Sequence, residues 1–322
     1  MLTLFTAPKP FDGHVGVIQT NALRSWKELG RGIEILLVGV ELGLEQAASA
    51  LGIRVLANVR KSPSGAPSLQ SALAEVRRVA RHATLAYVNA DILLLDDFLP
   101  AVERVTERLG SYLIVGQRWD LDVRAPIAFG DRWKAKLRDT VHISGSLHRP
   151  VGSDYFVFPA RQYADLPDFT LGRSGWDNWM IYDSRRRRIP VVDASRAITA
   201  VHQNHDYSHL PGGRPHYRHP ESLRNVDLGG GRVTNFRLED ADWVLRPEGL
   251  SPKRPLEWRY PRRWEAELIA RWGSGRRATL ARMVFRPREA LRYAWDLARG
   301  ERARSVSASG ADESGAKVGI EE

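Results

Sequence analysis

Eight residues, Ile33 to Val40, are apolar almost without a break. Side chains alternate across a strand, so a run like this belongs to a strand buried on both faces. Helical stretches flank it: one through Val17, Ala22, Trp26 and Leu29, stopped by Gly30 and Gly32, and one from Leu44 to Leu51. Further strands are expected at Leu2 to Phe5, Ile53 to Val59 and Thr84 to Asn89, with a helix from Leu69 to Arg81 between the last two. This alternation makes βαβ units and a parallel sheet covered by helices. With 322 residues and 43% apolar content, the chain can bury such an α/β core and still carry an appendage.

Open sheets of this kind bind ligands beyond the carboxyl ends of their strands. Polar residues stand at each of those ends: Thr6 to Lys9, Glu41, Arg60 with Lys61, and Asn89-Ala90-Asp91. The tripeptide is the most informative. In an extended segment Asn89 and Asp91 point to one side and Ala90 to the other. A carboxylate and an amide oxygen side by side at the end of a buried strand suit a hard divalent cation, which takes oxygen ligands. The plain alternative is a pair of turn residues.

Beyond Asp91 the chain reads as a helix from Phe98 to Leu109, a strand from Tyr112 to Gly116, then Arg118-Trp119-Asp120 and an irregular stretch. Strands resume at Ser153 to Phe158, Ile189 to Asp193 and Ala197 to His202. Gly172 to Ile181 and Gln203 to Arg218 read as polar, aromatic loops, where sites on a rigid scaffold tend to lie. Five of the nine histidines fall between His202 and His219. His202, His205 and His209 are spaced by three and four residues, which on one helical face would make a zinc site and a zinc-dependent hydrolase. Against a helix, His202 ends a strand pattern and Pro211-Gly212-Gly213 follows. The Arg185 to Arg188 run reads as a solvated face.

The net charge of +10 is unevenly spread. From Pro252 to Arg304 there are 15 Lys and Arg against 6 Asp and Glu, a net of +9, so the rest of the chain is nearly balanced. We therefore expect a main domain over 1–250, a basic helical appendage over 251–304 and a disordered tail over 305–322. In the appendage, Trp264, Leu268 and Trp272, then Leu280, Met283 and Val284, then Leu291, Ala294, Trp295 and Ala298 recur at helical spacing among arginines. Basic amphipathic helices bearing Trp suit an anionic membrane surface, here through 262–299; the alternative is that the same stripes dock on the main domain. The high charge raises a nucleic-acid-binding reading, but it lies in one segment and the core has no nucleic-acid motif, so no nucleic-acid partner is expected. No run of about 18 apolar residues is present. With no basic leader and no long apolar stretch at the start, the expectation is a cytoplasmic protein, peripheral at most on the inner membrane face. The absence of cysteine excludes disulfides, thiolate zinc sites and cysteine nucleophiles.

Taken in order, four pieces resemble the GT-A fold glycosyltransferases, the nucleotide-diphospho-sugar transferases, over roughly the first two-thirds of the chain. These are the βαβ half, Asn89-Ala90-Asp91 in the metal position, Gly175-Trp176-Asp177-Asn178 like a Gly-Trp-acid segment, and the strand ending in Val201-His202-Gln203-Asn204-His205. One departure is that Asn89 stands where the metal motif begins with an acid. The resemblance implies a mixed α/β sheet flanked by helices, and transfer of a sugar from a nucleoside diphosphate to a glycan or lipid-linked acceptor. It also implies a Mn²⁺ or Mg²⁺ ion held by Asp91, with His202 and then His205 as added ligands, to neutralise charge on the leaving diphosphate. Asp177 is implied as the general base of an inverting reaction, with Trp176 as its apolar wall and a sugar platform; the alternative is a helix-capping Asp177. Asp154 is implied at the sugar hydroxyls, Glu41 and Thr6 at the nucleotide with Asn89, and Arg60 and Lys61 beside the phosphates. A sugar-1-phosphate nucleotidyltransferase is disfavoured, because the loop Thr6-Ala7-Pro8-Lys9-Pro10 lacks glycine.

Overall fold

A computed structural model describes residues 1–205, 219–253 and 261–288, together with Leu291 and Trp295. His209, Ala294, Ala298 and the tail over 305–322 lie outside the described residues.

The first half runs β1 (Leu2–Thr6), α1 (Gly13–Lys27), β2 (Ile33–Val38), α2 (Leu44–Leu51), β3 (Arg54–Leu56), α3 (Leu69–Val79) and β4 (Thr84–Val88). It continues through β5 (Ile92–Leu94), α4 (Phe98–Thr106), β6 (Leu113–Val115), β7 (Trp119–Leu121), α5 (Trp133–Ser144) and β8 (Ser146–Leu147). Then come β9 (Tyr155–Pro159), α6 (Trp176–Arg186), β10 (Val191–Asp193), β11 (Ala200–Gln203) and α7 (Pro220–Leu228). The hairpin strands β12 (Trp243–Arg246) and β13 (Gly249–Pro252) precede α8 (Pro261–Trp272) and α9 (Arg276–Phe285).

Nine strands form one sheet in the order β13-β12-β10-β6-β9-β4-β1-β2-β3, and β5-β11-β7-β8 form a second, smaller sheet. Strands β1 to β4 are mutually parallel where they pair, but β9 is inserted antiparallel between β4 and β6, so the large sheet is mixed. This is the α/β architecture, a mixed sheet flanked by helices, that the resemblance implied. The apolar run from Ile33 to Val40 is explained by the place of β2 inside the large sheet. In β2, Ile35 and Leu37 join the core on one side of the sheet with Leu2, Leu4, Trp26 and Phe98. Leu36 and Val38 join the core on the other side with Phe5, Phe156, Trp176 and Trp179.

The small sheet has its own core of Leu93, Leu121, Trp133, Leu137 and Val201. Helix α1 holds it against the large sheet: Trp26 Nε1 donates to the Ile92 carbonyl at 2.8 Å, and Ser25 Oγ accepts from the Leu94 amide at 3.2 Å. At the far end, β13 completes the large sheet across residue 250, the expected boundary of the main domain. Helix α8 packs on α6, and Ala266, Ile269, Ala278 and Ala281 lie in the same core as the sheet. Several of the arginines expected to face water are held by acids instead. Arg185 bridges Asp242 and Glu267, each at 2.8 Å, Arg187 pairs with the buried Asp183 at 2.7 Å, and Arg262 binds Asp240. Among the described residues, no helix is long and apolar enough to cross a membrane.

Candidate active site

The chain crosses from the large sheet to the small one through Asn89-Ala90-Asp91. These residues form a turn, closed by the Ile92 amide donating to the Asn89 carbonyl at 3.1 Å. The extended alternation expected for them is therefore absent, because β4 ends at Val88 and the small sheet restarts at Ile92. The two side chains take different partners instead. Asn89 Nδ2 donates to Asp154 Oδ1 at 2.7 Å. Asp91 turns to β11 and the loop after it, where His205 Nε2 lies 3.2 Å and His202 Nε2 3.9 Å from its Oδ2. Both still line one cleft of about 270 Å³, together with Lys9, Asp154, Asp177 and His202.

One carboxylate oxygen and two imidazole nitrogens thus fall within 4.8 Å of one another. The second oxygen of Asp91, Oδ1, is buried without a hydrogen-bond partner among the described residues. A buried carboxylate oxygen left without a donor is costly, and a cation removes that cost. Two nitrogens and an oxygen with room on the cleft side are a donor set that divalent metals accept. The residues present therefore fit a divalent ion. Burial alone would raise the Asp91 carboxyl, but the hydrogen bond to His205 and the charges of His202 and Lys9 outweigh it and hold it well below the usual carboxylate range. Desolvation pulls the Lys9 ammonium down, opposed by Asp91, and its Nζ stands 3.4 Å from His205 Nε2.

Buried amides fix this arrangement. Gln203, at the end of β11, donates from its backbone and from its side chain to the Asp91 carbonyl at 3.2 and 3.1 Å. Its side-chain oxygen accepts from Asn21 of α1 at 3.0 Å. Gln203 is fully buried, so register between β5 and β11 is held by polar groups as well as by Val201.

Asp177 stands across the cleft in the first turn of α6, with Oδ1 accepting from the Gly175 amide at 3.1 Å. Burial raises its pKa, backbone hydrogen bonds pull the other way, and the neighbouring Asp154 charge adds to the rise. A Cβ on Gly152 would lie 3.3 Å from Asp177 Oδ2, so the backbone there passes close to the carboxylate. Trp176 is only 6% exposed, with its ring 5.1 Å from Tyr87 and 5.0 Å from Phe156. So buried, it offers little face on which a sugar can stack.

The other expected residues are distributed differently. Asp154 lines the cleft, yet each of its oxygens already accepts a bond, from Asn89 and from Arg118 at 2.6 Å. Thr6 is fully buried with no partner for its hydroxyl among the described residues, so its side chain presents no surface to a ligand. Lys61 and Glu41 pair with each other at 3.4 Å. Arg60 faces Gln70 and Asp168. None of these three lines the cleft around Asp91. His202 lies in β11 and His205 in the loop after it, so they do not share a helical face.

Sequence reasoning placed Lys9 at a strand end without a role, and missed Arg118, which lines the cleft, Asp120, with which Arg118 pairs, and Gln203. Only Arg118-Trp119-Asp120 carried a signal, the same polar-x-acid spacing at a strand as Asn89-Ala90-Asp91.

No protein-family profile matches the sequence, and no curated protein matches it. Among solved structures, the chain is similar to glucosyl-3-phosphoglycerate synthase from Mycobacterium tuberculosis in complex with Mn²⁺, UDP-glucose and phosphoglyceric acid. The identity is 17% and the TM-score 0.43, over 72% of this chain and 80% of that one. The same enzyme with Mg²⁺ and UDP matches at 17% identity and a TM-score of 0.41, over 64% and 72% of the two chains. A mycobacterial protein matches at 16% identity and a TM-score of 0.40, over 72% of each chain. Likeness of this degree fixes neither substrate nor metal for this chain.

Proposed function

We propose that the protein is a metal-assisted glycosyltransferase that moves a sugar from a nucleoside-diphosphate donor to a hydroxyl of a glycan or lipid-linked acceptor. What supports the reading is one juxtaposition: a carboxylate with two imidazoles and an unsatisfied oxygen, facing a base-like Asp177 across a cleft at the carboxyl ends of parallel strands. In this reading Asp91, His202 and His205 hold Mn²⁺ or Mg²⁺, which when bound would neutralise charge on the leaving diphosphate. Asp177 accepts the acceptor's proton, and its raised pKa brings it closer to the range a general base needs. Attack from the side opposite the leaving group makes the reaction inverting. Asn89 and Arg118 hold Asp154 in place, leaving its remaining lone pairs for sugar hydroxyls. Lys9, beside the metal ligands, supplies a second positive charge to the phosphates. Glu41, at a neighbouring strand end, is assigned to the base of the donor, and Arg60 and Lys61 to the outer side of its phosphates.

The exposed face of α8 and α9 suits attachment to an anionic membrane surface, where a lipid-linked acceptor would lie. Trp272, Leu280, Met283 and Val284 are between 44% and 67% exposed, and Arg276 and Arg277 are exposed beside them.

A thermal-shift panel of nucleoside diphosphates with and without Mn²⁺ tests the reading, since a specific ligand raises the melting temperature by mass action. Asp91→Ala is expected to remove the Mn²⁺-dependent part of that shift with the fold intact. Asp177→Asn is expected to leave donor binding in place and slow transfer by about 10²–10⁴-fold. A protein with no nucleoside-diphosphate response, or an Asp177→Asn variant with normal turnover, would overturn the assignment.

A further inference from the structure

His202 sits between two acids, and the reading above uses only one of them. Strand β11 is the second strand of the small sheet, with β5 on one side and β7 on the other. In that register His202 is the direct cross-strand partner of Ile92, next to Asp91, and of Asp120 on β7. Its Nε2 faces Asp91, and its Nδ1 stands 3.1 Å from Asp120 Oδ1, an ion-pair distance without the alignment of a hydrogen bond. Backbone pairing therefore sets Asp120 against the ring nitrogen that points away from Asp91.

Asp120 is itself held from two further directions. Arg118 Nε donates to its Oδ1 at 2.9 Å, and His148 Nδ1 lies 2.8 Å from its Oδ2. Arg118 then reaches Asp154, which binds Asn89. Asp120 is thus a fixed anion whose surroundings prevent it from turning away from His202.

We propose that Asp120 is a positioning residue for the metal ligand His202. It holds the imidazole with Nδ1 toward the carboxylate, so that Nε2 is the nitrogen presented beside Asp91. An imidazole that ligates a metal through one nitrogen is commonly oriented by a carboxylate on the other, and loss of such a partner weakens metal binding by about 10–100-fold. Asp120 touches neither donor nor acceptor in this scheme. The inference rests on the proposed metal role of Asp91, His202 and His205.

The test measures Mn²⁺ binding by titration calorimetry without nucleotide, so it does not depend on turnover. Asp120→Asn is expected to bind Mn²⁺ about 10–100-fold more weakly than the unaltered protein, with an unchanged melting temperature in chelator. His148→Ala, which removes a partner of Asp120 that does not touch His202, is expected to keep Mn²⁺ affinity near that of the unaltered protein. Should Asp120→Asn fail to fold, Asp120→Glu keeps a charge for Arg118 while moving the carboxylate off the ring, and the same weakening is expected. Unchanged affinity in a folded Asp120 variant would overturn the positioning role while leaving the metal site standing. If the unaltered protein binds no Mn²⁺, the metal reading falls and this inference with it.

Discussion

Asp177 is asked to stay charged in a place that disfavours charge. Its pKa in the fold lies above the ordinary 3.8, raised by burial and by Asp154. Between those two values the folded protein holds a proton that the unfolded chain has released, so stability falls as pH rises through that window. Asp177→Asn should accordingly melt higher than the unaltered protein at pH 7, and the gain should vanish below the ordinary 3.8, where both side chains are neutral. Melting curves across pH check this; a lower melting temperature at pH 7 would show that Asp177 is held by favourable contacts instead. With Asp177 as the proposed base, transfer would need the carboxylate and should decline on acidification through the same raised value. At this scale the sequence was readable only where a motif flagged the residue. Asp91, His202 and His205 were found through a tripeptide and a histidine cluster. Asp120 carried only a polar-x-acid spacing and Gln203 no side-chain signal, and what each one faces is set by strand register that local spacing does not reveal.

Elements were legible in proportion to their length and burial. Helix α2 matches its expected span, and β2 ends two residues early, because an apolar run and a clean helical stretch carry strong periodic signals. Strands β5, β7 and β8 have two or three residues each, too few to show an alternation. The turn over Asn89-Ala90-Asp91 also hides β5, because only three residues separate it from β4 although the two strands belong to different sheets. The first half of α6 reads as a loop in the sequence because its first turn is crowded with Trp176, Asp177 and Asn178. One close approach between elements gives a direct test. A Cβ on Gly116, just past β6, would fall 1.9 Å from the hydroxyl of Tyr155 on β9, which is fully buried and makes no hydrogen bond among the described residues. Gly116→Ala should lower stability by about 1–3 kcal/mol through overpacking. Adding Tyr155→Phe should recover part of the loss. Urea unfolding of the three variants measures both effects, and an unchanged midpoint in Gly116→Ala would mean that β9 shifts freely.

For the whole molecule, the basic C-terminal segment is both part of the core and a surface. Ile269 is 1% exposed within the sheet's own core, and β13 pairs across residue 250. Removing everything after residue 250 would therefore test folding rather than membrane attachment. A surface variant isolates the second role: Leu280→Glu with Val284→Glu should abolish sedimentation with anionic vesicles and leave transfer to a soluble acceptor unchanged. Vesicle binding equal to that of the unaltered protein would assign this face to water. The division into two sheets has a consequence of its own. His202 and Asp120 sit in the small sheet and Asp91 just before it, whereas Asp154 precedes β9 of the large sheet and Asp177 opens α6, which packs on that sheet. The ion pair from Arg118 to Asp154 and the turn at Asn89 span the join. On the proposed assignment, affinity for the cation and speed of proton removal would be set in separate pieces of the molecule, like the two jaws of a vice on one screw. Loosening the join by Arg118→Gln would misalign the jaws while each kept its own grip.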